Sequence, residues 1–100
     1  MEILEQKTGL PKRVLDKLCK VAKENENYEF YIFGSRAKGT YKDTSDIDIA
    51  IFEDVKPEDR FKIMNEFDML DIIYKIDLVF IKKDIKKELL ESIQNNKIKI

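Results

Sequence analysis

Three acids and a glycine–serine pair supply the residue types from which a metal-dependent reaction can be built. Asp46 and Asp48 open an apolar run that ends at Phe52, and Asp77 is the one acid in a second apolar run, Lys75 to Ile81. Successive side chains of a strand point to opposite faces, so Asp46 and Asp48 project together while Ile47, Ile49 and Ile51 project the other way, toward a core. Two carboxylates on one face repel each other unless something positive sits between them. A hard divalent cation with oxygen ligands, magnesium, answers that need. A buried strand rarely carries an unpaired carboxylate, so Asp77 becomes a third ligand, enough for two ions, if its strand lies beside the first.

Gly34 and Ser35 follow a third apolar run, Tyr28 to Phe33. The glycine lets backbone approach a ligand closely, the serine adds a hydroxyl and an N–H, and a short helix after them would offer free N–H groups to an anion. With a cation nearby, the combination describes a magnesium–triphosphate site. Arg36 either contacts phosphate or pairs with a surface acid. Ser45, in the polar Asp43-Thr44-Ser45 segment, reads as a local turn residue rather than a nucleophile.

The order Gly-Ser, ten residues, Asp-x-Asp, then an acid in a later strand resembles the DNA polymerase β superfamily of nucleotidyltransferases. The stretch Gly34 to Phe52 is similar to the signature of its minimal branch, the MNT-type proteins paired with HEPN partners in toxin–antitoxin systems. That resemblance implies two magnesium ions on Asp46, Asp48 and Asp77, ATP as the nucleotide, and terminal phosphates held by Gly34 and Ser35. It further implies transfer of AMP to a tyrosine of a HEPN-type toxin, with release of pyrophosphate. The branch commonly has arginine where this chain has Lys38, which keeps the charge and loses the planar fork. Thr40 and Tyr41 receive no role. Two alternatives stand beside this reading: an antitoxin that inhibits by binding alone, which would not need the acids, and transfer to a small molecule or nucleic acid.

The surrounding elements must position these groups. Pro11 to about Asn25 reads as an amphipathic helix, with Val14, Leu15, Leu18, Val21 and Ala22 on one face. Met1 to Thr8 lacks a sustained period and reads as a helical turn or coil. Strands are expected over Tyr28–Phe33, Asp46–Phe52 and Ile76–Ile81. Lys56-Pro57-Glu58-Asp59 opens a helix whose expected buried stripe is Phe61, Met64 and Phe67, with Leu70. Asp84 is the expected cap of a last helix carrying Ile85, Leu89, Leu90 and Ile93. The alternating end, Lys97 to Ile100, forms an edge strand or docks on a partner. The sum is an α/β (α+β) domain over residues 1–100, a small mixed sheet with helices packed on it, which the resemblance makes a polymerase β-like nucleotidyltransferase fold.

Composition narrows the function further. The 100 residues are 43% apolar, enough for one core, and 39% charged, enough to cover it. Nineteen basic and twenty acidic residues give a net charge of −1, so no overall field draws the protein to nucleic acid or to an anionic membrane. The basic run Lys82-Lys83 with Lys86-Lys87 reads as a solvated face, and Glu53-Asp54 as a charged turn. There is no histidine and only Cys19, which removes ordinary zinc sites, Ser-His-Asp hydrolysis and an internal disulfide together. No P-loop or dinucleotide motif occurs. With no signal-like or membrane-length apolar run, a cytoplasmic location is expected.

Overall fold

A computed structural model describes residues 2–100 apart from Glu53 and Lys83. Met1 and those two, expected in the N-terminal segment, a charged turn and a basic run, lie outside the described residues. The described residues form five helices and a four-stranded mixed sheet. In chain order these are α1 (Glu2–Thr8), α2 (Lys12–Glu24), β1 (Glu29–Phe33), α3 (Ser35–Lys38), β2 (Ile47–Phe52), α4 (Pro57–Asp68), β3 (Ile76–Phe80), α5 (Lys87–Asn96) and β4 (Ile98–Lys99).

The sheet runs β3-β2-β1-β4. β1 is antiparallel to both β2 and β4, whereas β2 and β3 are parallel, with α4 as the crossover that a parallel pair requires. The expected alternation in β2 is present. Ile47, Ile49 and Ile51 are fully buried and join Phe30 and Ile32 of β1 under α2 and α4. All five apolar positions read from the α2 pattern are buried. The alternating C-terminal segment pairs with β1 as an edge strand, and Lys97 stands 4.4 Å from the Tyr31 ring centroid and 4.9 Å from that of Phe52 on the sheet. No helix among the described residues is long and apolar enough to cross a membrane.

Three sequence expectations need correction. Residues 2–8 form a helix rather than a turn, secured at its end by Thr8, whose buried hydroxyl donates to the Leu4 carbonyl at 2.6 Å. The last helix begins at Lys87 with Lys86 at its cap position, so Asp84 does not cap it, and Ile93 is its one fully buried side chain. The α4 stripe is Ile63 and Phe67, not Phe61 and Met64, which are 74% and 49% exposed. Two helical stripes pass through Phe67, one by steps of three through Phe61 and Met64, the other by steps of four and three through Ile63 and Leu70. Helical period alone does not choose between them. Contacts at both ends of α4 set the second: near its start the Tyr28 hydroxyl donates to Asp59 and Arg60 Nε donates to the Val55 carbonyl at 3.0 Å, and in its last turn Phe67 meets the Phe30 ring at 6.1 Å between centroids.

The two classes of residue should respond differently to truncation. Ile49→Ala should cost about 2–5 kcal/mol in urea denaturation, as expected for a fully buried aliphatic side chain. Phe61→Ala should stay within about 0.5 kcal/mol of the parent protein.

Candidate active site

The β2–β3 register brings two of the three acids together. Asp48 and Asp77 are direct partners across the parallel pair, so they lie side by side on one face of the sheet. Asp46 precedes β2 by one residue and, two positions before Asp48, belongs to the same side of the chain. The Asp48 carboxyl is pushed above the usual carboxylate range, first by burial, then by the charge of Asp77 and then by that of Asp46. Asp77 has partial compensation from Lys75 Nζ at 3.8 Å, between side chains 72% and 45% exposed, which makes it a weak surface pair.

Gly34 closes the other side. β1 delivers Phe33 opposite Asp48, and the chain then turns at Gly34 with φ 73° and ψ −150°, a backbone region open in practice to glycine. A Cβ at this position would run into the Asp48 carboxylate, its Cγ lying only 3.3 Å away. The bend therefore carries bare backbone against the acid, and α3 starts at Ser35 directly after it. The glycine–serine pair and the Asp-x-Asp pair, well apart in sequence, are neighbours through the β1–β2 ladder.

Arg36 is elsewhere. Its side chain is 1% exposed, and the guanidinium donates to main-chain carbonyls: Nη1 to Thr8 at 2.8 Å, Nη2 to Ser45 at 3.0 Å and to Asp43 at 3.3 Å, and Nε to Ser45 at 3.2 Å. The Tyr41 and Tyr74 rings stand 5.1 and 4.9 Å from its central carbon. Neither expected role, phosphate contact nor pairing with a surface acid, matches this burial. Arg36 instead ties the end of α1 to the loop that leads into Asp46. Tyr41, without a role in sequence, packs on Arg36 and also fills the space over Gly9, where a Cβ would strike its ring. Ser45 behaves as read: its Oγ accepts from the Lys42 N–H at 2.7 Å and its own N–H donates to the Lys42 carbonyl at 2.9 Å.

The donor set suits a hard cation in kind, since every candidate ligand is a carboxylate and their mutual repulsion favours positive charge between them. As the side chains stand, no group of three acidic, histidine or cysteine residues among the described residues closes on a single ion position.

Comparison with known proteins gives one family and several similar structures. The profile of the family described as polymerase beta, nucleotidyltransferase matches residues 16–100. No curated protein matches the chain. Among solved structures, a toxin–antitoxin complex with AMP-PNP is similar at 25% identity and TM-score 0.61, over 84% of this chain and 69% of that one. A mutant of the toxin–antitoxin pair MntA–HpeT, at 22% identity and TM-score 0.61 over the same shares, agrees in fold. A nucleotidyltransferase, so named provisionally, from Sulfolobus solfataricus is 28% identical with TM-score 0.52, over 87% of this chain and 78% of its own.

Two outcomes follow from the geometry. Arg36→Ala strands several carbonyls in the interior and should lower unfolding stability by about 2–4 kcal/mol, measured by denaturant titration. For metal-free protein, a carboxyl with a raised folded pKa binds more protons folded than unfolded, so its ionisation withdraws stability as pH climbs from the unfolded value through the folded one. Asp48→Asn should therefore melt higher than the parent at pH 7, and the difference should vanish below the ordinary carboxylate range.

Proposed function

The chain belongs to the polymerase β nucleotidyltransferase family, and we propose that it is a magnesium-dependent enzyme transferring AMP from ATP to a hydroxyl, a tyrosine of a HEPN-type toxin, and so serves as an antitoxin in the cytoplasm. The observation that carries the reading is the pairing of Asp48 with Asp77 across β2 and β3, with Gly34 backbone against Asp48. The 25%-identical toxin–antitoxin complex holding AMP-PNP supports both the nucleotide and the biological setting.

In this reading Asp46, Asp48 and Asp77 would hold two magnesium ions, which when bound would supply charge neutralisation for the triphosphate and a lowered pKa for the attacking hydroxyl. Gly34 and Ser35 bind the terminal phosphates through backbone N–H groups and the serine hydroxyl. Asp77 accepts the proton of the acceptor hydroxyl, whose oxygen forms a bond to the α-phosphorus. The bond from that phosphorus to its bridging oxygen breaks, and pyrophosphate leaves in line. The β2–β3 register supports this reading for Asp48 and Asp77, which it sets side by side.

The reading is tested by incubating the protein with α-labelled ATP, magnesium and the product of its neighbouring gene. Label should appear on a tyrosine of that partner, and Asp46→Asn with Asp48→Asn should reduce it by about a hundredfold or more. Label transfer undiminished in that double variant would defeat the assignment of these acids.

A further inference from the structure

One side of the molecule keeps bulky apolar groups in water. Among the described residues five large apolar side chains are exposed, and four of them, Phe61, Met64, Met69 and Ile73, sit on α4 or in the loop after it. Two of them, Phe61 and Met64, line a groove of about 760 Å³ between α4 and β3, together with Leu70, Leu78 and Phe80 and with Asp77 in the same lining. A concavity of mixed character that sets Phe61, Met64, Leu78 and Phe80 beside Asn65, Asp68, Lys75 and Asp77, with large apolar side chains left in water beside it, marks a binding surface.

The groove runs along a strand with one open edge. β3 is the outermost strand of the sheet. The Ile47 N–H donates to the Lys75 carbonyl at 2.8 Å and the Ile81 N–H to the Ile51 carbonyl at 2.9 Å. With Asp48 opposite Asp77, those bonds place the β2-facing ladder on Lys75, Asp77, Val79 and Ile81. The backbone N–H and C=O groups of Ile76, Leu78 and Phe80 consequently point out of the open edge. No proline or bulge blunts it, which leaves a template for an added strand.

We propose that a polypeptide partner docks here in extended form, as a fifth strand on β3, with alternate side chains in the α4–β3 groove and the intervening one on the face that carries Asp48 and Asp77. The role of that intervening side chain rests on the nucleotidyltransferase reading: a residue opposite Asp77 lies about 5 Å from it, which is where an acceptor hydroxyl has to be. An extended peptide matches both the alternating backbone groups of the edge and the mixed groove. A nucleic acid matches neither, and the groove's charges, Asp68 and Asp77 against Lys75, oppose a phosphate backbone. A second copy paired through the same edge would place its own Asp77 on the already acidic face.

The test uses a fluorescent eight-residue peptide with a central Leu-Tyr-Leu, the same peptide N-methylated at all three of these residues, N-acetyltyrosinamide, and a single-stranded oligonucleotide with a free 3′-hydroxyl. Without nucleotide, anisotropy should show the first peptide binding at least tenfold more tightly than the N-methylated one. Phe61→Lys with Met64→Lys should lose that affinity at least tenfold while its melting temperature stays close to the parent's. Equal binding of the two peptides, equal binding by the double variant, preference for the oligonucleotide, or a dimer in sedimentation that the double variant abolishes would overturn the proposal. Incubation with α-labelled ATP and magnesium separates the two readings. Groove-dependent binding with no label on the bound peptide keeps the docking surface and removes the transferase. Label on N-acetyltyrosinamide with no peptide binding does the reverse.

Discussion

The sheet forces like charges together and has to hold them there. Asp48 and Asp77 are neighbours because β2 and β3 are locked in one parallel register, and nothing about the carboxylates themselves favours that placement. What fixes the register is the opposite side of the same strands, where Ile47, Ile49 and Ile51 are wholly buried, each such side chain contributing about 1.5–3 kcal/mol. A slip of one residue would turn those isoleucines outward, so the apolar face decides the position of the acids. The raised Asp48 carboxyl, buried beside the charges of Asp77 and Asp46, is the cost of this arrangement.

Two local devices bring the remaining parts to this acid pair. The left-handed turn at Gly34 lets the chain leave β1 and touch Asp48 with backbone alone, which no side chain at that position would permit. Arg36 holds the other approach. By donating to carbonyls of Thr8 and Ser45 it fixes the loop that precedes β2, with tyrosine rings at its guanidinium. The first device is about access and the second about rigidity. Together they fix the backbone on both sides of Asp48.

Much of this was readable in the sequence, and the unreadable parts have a common cause. Alternation located β2 with its two faces, the α2 periodicity named every buried position, and the Gly34 to Asp48 segment was singled out, within which those two residues are neighbours. These are signals in which neighbouring residues constrain one another. The failures concern choices made at a distance. The buried stripe of α4 depends on where Phe30 and Tyr28 lie, Arg36 depends on carbonyls from α1 and from the 42–45 loop, and the open edge of β3 depends on the order of strands. A lone arginine beside a glycine–serine turn gives no sign whether its charge faces a ligand or the protein's own backbone.

The reach of Arg36 bears on where this fold begins. Family similarity starts at residue 16, inside α2, yet the Thr8 carbonyl that receives the Arg36 guanidinium is at the end of α1. Trimming the molecule to the matched span would sever that brace, leaving a buried cation short of a partner and the loop ahead of Asp46 slack. The smallest unit that is mechanically whole is larger than the one that ancestry delineates, because its extra piece braces the loop ahead of β2 from α1.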